Sequence, residues 1–324
     1  MHRASFPHPS HEWSGTSPLM GEARRGWGNP HSVRIMASSP TPRRIPWDSL
    51  AVFPFVIFAV MFLFLPTLSL FGAAFTDRAG NFTFENIAGL FTDQIMSAYW
   101  ISIRISGASA LLGALIGLAI TLAIIRGKLP QGLRSAVMTF SGVASNFAGV
   151  PLAFAFIATL GRLGLATIVL RTLFDFDIYR QGGFNLFSFW GLTLTYLYFQ
   201  IPLMMLTIAP AIDGLKKEWN EAAQTLGAST WQFWRYIGFP ILWPSVLGTL
   251  SLLFANAFGA IATGWALTGS NLNIVTVLLY NQIRGDALQN PGLGAALAVG
   301  MILITSLANV IYLVVAARAE RWMK

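Results

Sequence analysis

Long stretches without a charged side chain alternate with short basic loops along this chain of 324 residues. Beyond the N-terminal region, six runs of 21 or more residues lack Asp, Glu, Lys and Arg: 49–76, 105–125, 135–161, 181–212, 236–283 and 287–317. A helix that crosses a bilayer needs about 20 apolar residues, so each run predicts one crossing. The fifth run, 48 residues long, has room for two. Its second half, LTGSNLNIVTVLLYNQI, has a solid apolar core only at 274–280. That is too short to span, so this half predicts a re-entrant or surface segment. The pattern as a whole predicts an all-α membrane protein with six transmembrane helices.

One polar interruption differs from the other loops. The stretch EWNEAAQTLGASTWQFWRYIGFP, Glu218 to Pro240, is charged, amphipathic and aromatic. Ala222, Ala223, Gln224 and Leu226 favour helix, and Glu218–Leu226 predicts a continuation of a helix begun near Ile212. Gly227 then breaks it, as glycine does at a left-handed C-terminal cap. Ser229 or Thr230 caps a second short helix, TWQFWRYI. Pro240 and Pro244 close the block and start the next span. Trp231, Phe233, Trp234 and Tyr236 are placed for the membrane interface. Two short helices on such a loop, 213–240, make a docking knob for a partner.

Composition agrees with lipid as the solvent. Charged residues make up 10% of the chain and mean hydropathy is +0.60, whereas soluble domains carry about 25% charged residues. Lys and Arg accumulate on the cytoplasmic side of a membrane. The N-terminal region, the second-to-third loop, the fourth-to-fifth loop and the C-terminus hold 15 of them, and the remaining loops hold five. This bias places both termini and the Glu218–Pro240 stretch in the cytoplasm. The net charge of +8 is thus a topology signal, and no nucleic-acid partner is expected. Arg104, near the outer end of the second helix, reads as an interfacial, snorkelling arginine.

Residues 1–45, rich in Pro, Gly, Ser and His, predict a disordered cytoplasmic tail. Met36 opens a short basic lead, MASSPTPRRIPWDSL, and predicts a natural start there; a genuine flexible tail is the rival reading. Residues 46–324 form the transmembrane domain. There is no cysteine, and His2, His8, His11 and His31 all lie in the tail, so no metal site or catalytic residue is expected. No GxxxxGK[ST] motif is present, so the chain has no P-loop to bind ATP. Energy for a pump would arrive through a partner.

The stretch resembles the EAA loop of ABC importer permeases: Glu-Ala-Ala, three residues, Gly, nine residues, Ile, one residue, Leu-Pro. Glu221, Ala222, Ala223, Gly227, Ile237 and Pro240 fall in register. Ala228, Ser229 and Phe233 also fit, while Phe239 replaces the usual leucine. The resemblance implies a type I ABC importer permease fold over 46–324 and a multi-pass location in the bacterial inner membrane. It implies a coupling helix seated on separate ATPase subunits, with ATP and Mg bound there and no cofactor on this chain. It further implies a second permease subunit, a heterodimer being expected, and an extracytoplasmic substrate-binding protein. FTDRAGNFTFENIAGLF is similar to the polyamine, opine and phosphonate branch, so a polyamine-like or related small polar solute is expected.

Asn146, Gln200, Asn256 and Trp265 stand at membrane depth and are candidates to line the pathway; for the three amides, interhelical hydrogen bonds are the equal alternative. For Tyr196, Tyr198, Phe199 and Trp265 packing is weighed against cation–π faces. Gly113 and Gly117 form a GxxxG pair that predicts close helix packing. Two other classes stay open: a secondary carrier or channel not driven by ATP, and a membrane-embedded enzyme. The spans offer no His, Cys, Asp or Glu to the latter.

Overall fold

The fold is that of a computed structural model describing residues 47–127, 129–269, 271–284 and 290–321. The expected tail 1–45 and the start at Met36 lie outside the described residues. By its contacts the chain divides into residues 1–53 and 54–324. The described part of the first is the helical start of α1 (Trp47–Ala59); all packing below belongs to the second.

Span one runs through α1, a π-helical turn (Val60–Phe64) and α2 (Leu65–Ala74). An outer segment with the short α3 (Glu85–Ala88) leads to span two, α4 (Asp93–Arg126). Span three is broken into α5 (Gln131–Asn146) and α6 (Val150–Leu160), followed by an outer helix α7 (Leu165–Phe174). Span four is α8 (Phe189–Asp213), and the cytoplasmic helices α9 (Lys217–Thr225) and α10 (Thr230–Phe233) follow it. Span five continues from α10 through a π-helical turn (Trp234–Gly238) into α11 (Phe239–Phe258). The short α12 (Ile261–Thr268) and α13 (Val275–Arg284) precede span six, α14 (Pro291–Arg321).

Length and apolarity alone single out Val150–Phe174 as the third crossing. The side chains show otherwise. Arg134 at the start of α5 pairs with Asp213 at the end of α8 (2.9 and 2.7 Å). Ser141 meets Met205 half-way along. Leu160 at the end of α6 shares a core cluster with Phe189 at the start of α8. So 131–160 runs antiparallel to α8 from end to end, matching the run 135–161. It bends at Phe147–Gly149, where Gly149 takes φ +79° and donates its N–H to Thr263 Oγ1 (2.7 Å).

Lipid offers helices no hydrophobic reason to associate, so close packing and hydrogen bonds must hold them. The GxxxG pair on α4 supplies the tightest contact. A Cβ on Gly113 would lie 2.7 Å from Gln200 Cβ, and one on Gly117 would lie 2.7 Å from Met204 Cβ. Span five adds Leu242 and Leu253 to the same buried cluster. Span six joins through Tyr99 Oη, which donates to the Leu297 carbonyl (2.7 Å), and through Ser251 with Asn309 (2.9 Å). The segment after span five packs into the bundle: Thr263, Leu267, Ile274, Val275 and Val277 are buried. Ser102 accepts the Val275 N–H (2.9 Å).

Because the chain has no cysteine, single introduced thiols test this topology cleanly. Cysteine at Asn81 or Gln181, both exposed, is expected to react with an impermeant maleimide from outside intact cells. Cysteine at Gln131 or Gln224 should react only after the membrane is opened. Labelling of position 224 from outside would invert the whole arrangement.

Candidate functional site

The cytoplasmic loop between spans four and five is built by three local devices. First, α8 stops at Asp213. The Gly214 N–H bonds the Pro210 carbonyl (3.0 Å), the Leu215 N–H bonds Ile212 (3.2 Å), and Leu215 is buried in the core beneath. The expected continuous helix from Ile212 to Leu226 is therefore corrected to two helices. Burying Leu215 turns the chain, and α9 leaves on a new axis.

Second, α9 ends in a Schellman turn. The Ala228 N–H bonds the Ala223 carbonyl and the Gly227 N–H bonds Gln224, both at 2.9 Å. Gly227 takes φ +81°, the left-handed geometry such a cap needs. Third, Ser229 and Gln232 form a reciprocal capping box: the Ser229 N–H donates to Gln232 Oε1 (2.7 Å) and the Gln232 N–H to Ser229 Oγ (3.3 Å). This closure satisfies two backbone donors at the start of α10. The prolines do not end that helix. Pro240 enters at the first turn of α11 and Pro244 lies inside it, so α10 is one end of the fifth span rather than a detached element.

Ala223 and Phe233 are the buried points on which the two helices seat. Glu221, Ala222, Gly227, Ser229 and Pro240 are exposed, and Ala228 and Ile237 are half-buried. Among the described residues the Glu221 side chain has no partner. Leu226 is 87% exposed and Trp231 67%, and the EAA pattern marks neither.

A cation–ring contact and an ion pair add to the buried seats in joining the loop to the bundle. The Arg126 guanidinium, at the end of span two, lies 5.7 Å over the Trp234 ring. The Arg134–Asp213 pair ties span three to the root of the loop. The aromatic residues divide accordingly: Trp231 and Tyr236 are exposed, whereas Phe233 is buried and Trp234 half-buried.

The candidate pathway residues differ in burial and in partners. Gln200 is fully buried and clamps three helices: its Nε2 donates to the Leu253 carbonyl (3.1 Å) and Ser109 Oγ (3.4 Å). Of its two readings, this is the interhelical one. Asn146 is exposed and bonds its own helix at the Gly142 carbonyl (2.9 Å). Asn256 is exposed on span five, and Trp265 is exposed on α12 with its ring 5.3 Å from Tyr280. Tyr196 and Phe199 are buried in the core, and Tyr196 Oη donates to the Ala260 carbonyl (3.1 Å). Tyr198 packs edge-on against Phe147 and Phe156. These three rings serve packing.

Residues 116–323 match the family described as binding-protein-dependent transport system inner membrane component. A probable sulfate transport system permease of Chlorella vulgaris is 28% identical over 222 residues, covering 67% of this chain and 77% of the relative. A molybdenum transport system permease of Mycobacterium tuberculosis is 26% identical over 219 residues, covering 67% and 78%. A spermidine/putrescine transport system permease of Haemophilus influenzae is 26% identical over 269 residues, covering 81% and 90%. Among solved structures, a bacterial ABC transporter involved in alginate import superposes with a TM-score of 0.65 at 21% identity, covering 86% of this chain and 96% of that one. With a match over more than half its length, and six apolar spans in the matching fold, the chain belongs to the inner membrane permease components of binding-protein-dependent ABC importers.

Proposed function

We propose that this subunit carries a small polar solute across the inner membrane, driven by ATP hydrolysed on separate subunits that dock on the loop 213–240. The observation behind this reading is the loop itself. A left-handed glycine turn and a capping box hold Glu221, Leu226 and Trp231 outward on the cytoplasmic face. Glu221, Ala222, Gly227, Ala228 and Ser229 form the contact surface in this reading. Ala223, Ile237 and Pro240 set its shape. ATP and magnesium belong to the ATPase.

The second half of the pathway comes from another permease subunit, a heterologous one in this reading. Asn146, Asn256 and Trp265 are the exposed polar and aromatic groups offered to the path, while Gln200 holds the helices around it. The solute is polyamine-like, by the resemblance of residues 75–91 to that branch. The relatives named above transport sulfate, molybdenum and polyamines, so the solute is the part to test first. The binding protein of the same system is purified and melted with spermidine, putrescine, sulfate or molybdate. A ligand at about 100 times its Kd adds about 2.7 kcal/mol, and spermidine or putrescine is expected to produce that rise. Reconstituted complex should then import the same compound only with ATP and binding protein present. Uptake by the chain alone, without ATP, would establish a carrier instead.

A further inference from the structure

The positive-inside bias leaves five basic residues in the outer loops, and three of them meet in one place. Arg162, Arg171 and Arg180 line an open cavity of about 510 Å³ between the end of span three and the start of span four. The cavity is firmly built. Gly164 closes the turn after α6 by donating to the Gly161 carbonyl (2.9 Å). A second turn is closed by the Gln181 N–H on the Asp177 carbonyl (2.8 Å) and the Phe184 N–H on Ile178 (3.0 Å). Tyr179 Oη pins that turn to span three by donating to the Leu160 carbonyl (2.7 Å). The Arg162 guanidinium rests 5.7 Å over the Tyr179 ring.

The charges do not cancel. Asp177 is the one acid lining the cavity. Its carboxylate accepts the Arg180 and Tyr179 N–H groups (3.1 and 2.9 Å), and those bonds, the Arg180 one foremost, hold it below the usual carboxylate range. It is ionised at neutral pH, which leaves two net positive charges. At the rim Leu163 is 84% exposed. A small oxyanion would have no use for that leucine. An apolar spot ringed by carboxylates on a protein surface would match both features.

We propose that this arginine-lined cavity is a docking point for an acidic surface of the extracytoplasmic binding protein. The inference rests on the proposed function, since that function supplies the partner. The positions lie beyond the level of Leu160 and Phe189, where spans three and four end, so they face outward from the bilayer. Exposed charges of this kind act chiefly on encounter rate and register, and salt screens them.

The test uses the whole transport complex in nanodiscs of neutral phosphatidylcholine, with association of its binding protein followed by biolayer interferometry at low and high salt. R162E, R171E and R180E are made singly and together. All three side chains are exposed, and retained co-purification of the ATPase subunits reports that the complex is intact. The triple variant is expected to bind about 10-fold or more weakly and to lose most of its salt dependence. Lysine in place of a carboxylate on the acidic surface should restore affinity. Leu163→Ala should weaken binding without changing the salt dependence. Wild-type affinity in the triple variant would overturn the proposal and leave the importer reading standing. A defect seen only when anionic lipid is added would assign the arginines to phosphates of the outer leaflet and also overturn it. A wild-type complex that captures no binding protein would remove the importer reading and this docking point together.

Discussion

Gly227→Val and Glu221→Lys are each expected to yield permease at normal membrane levels that no longer imports solute. The first acts through backbone geometry. Gly227 sits at φ +81° with no other atom within 4 Å of where a Cβ would stand. Valine therefore meets no steric wall, and its cost is conformational, about 1–2 kcal/mol. The Schellman turn relieves this by opening, which breaks the two 2.9 Å bonds at its base and lets α9 swing relative to α10. The six spans do not depend on that turn, so insertion proceeds. Glu221→Lys acts through charge. The side chain is exposed and has no partner among the described residues, so reversal costs the fold little. It repels basic groups expected on the ATPase, with a charge mismatch across an interface costing several kcal/mol. Co-purification of the ATPase should fall for Glu221→Lys. Uptake should fall below about one tenth of wild type for both, the effect of losing roughly 1.4 kcal/mol or more of coupling. The decisive measurement is ATPase pull-down and uptake from the same membranes. Full uptake and full ATPase binding in both variants would refute the coupling role of the loop.

The spans were legible because lipid imposes a rule with few exceptions: backbone polar groups must be satisfied within the segment and charges must stay out. A run free of Asp, Glu, Lys and Arg is therefore almost a structural statement. The turn at Gly227 and the cap at Ser229 were legible for a similar reason, since each depends on one residue type at one position. What the sequence left hidden depends on partners far along the chain. Arg134 finds Asp213 across 79 positions, and Arg126 finds the Trp234 ring; no local pattern announces either. Gln200 shows the same limit. A carboxamide at membrane depth suits a pathway or a clamp equally well, and only its bond to the Leu253 carbonyl decides. One local expectation failed because packing overrode propensity: Leu215 is drawn into the core and breaks the helix expected across Asp213. Pro240 falls in the first turn of α11, where a missing N–H is tolerated, and so starts that helix as expected. The break at Phe147–Gly149 had a sign in the sequence, a glycine two residues ahead of Pro151, which fits a helix starting afresh with proline in its first turn.

Gly117→Val should cripple the folded bundle, whereas Gly107→Val on the same helix should not. Both positions lie inside α4, and the change of helix propensity is the same at each. They differ in what a side chain would meet. At Gly107 nothing stands within 4 Å of a Cβ. At Gly117 a Cβ would lie 2.7 Å from Met204 Cβ and 2.9 Å from both the Ile201 carbonyl oxygen and Met204 Cγ. The Met204 side chain cannot swing clear at its own Cβ, and the carbonyl belongs to the backbone of α8. The helices must separate. That loosens the buried cluster of Ala110, Ala114, Met204, Ile208, Leu242 and Leu253 and moves α8 at the position from which Gln200 reaches Leu253. Overpacking of this kind costs about 1–3 kcal/mol or more. For a chain of this size each kcal/mol corresponds to about 2–4 °C in melting temperature. The detergent-solubilised Gly117→Val protein is therefore expected to melt several degrees to ten degrees lower and to aggregate on size-exclusion chromatography. Gly107→Val should stay monodisperse and melt within about 2 °C of wild type. Equal melting of the two variants would show that α4 and α8 are not in contact at Gly117, and the close crossing at the centre of this fold would have to be abandoned.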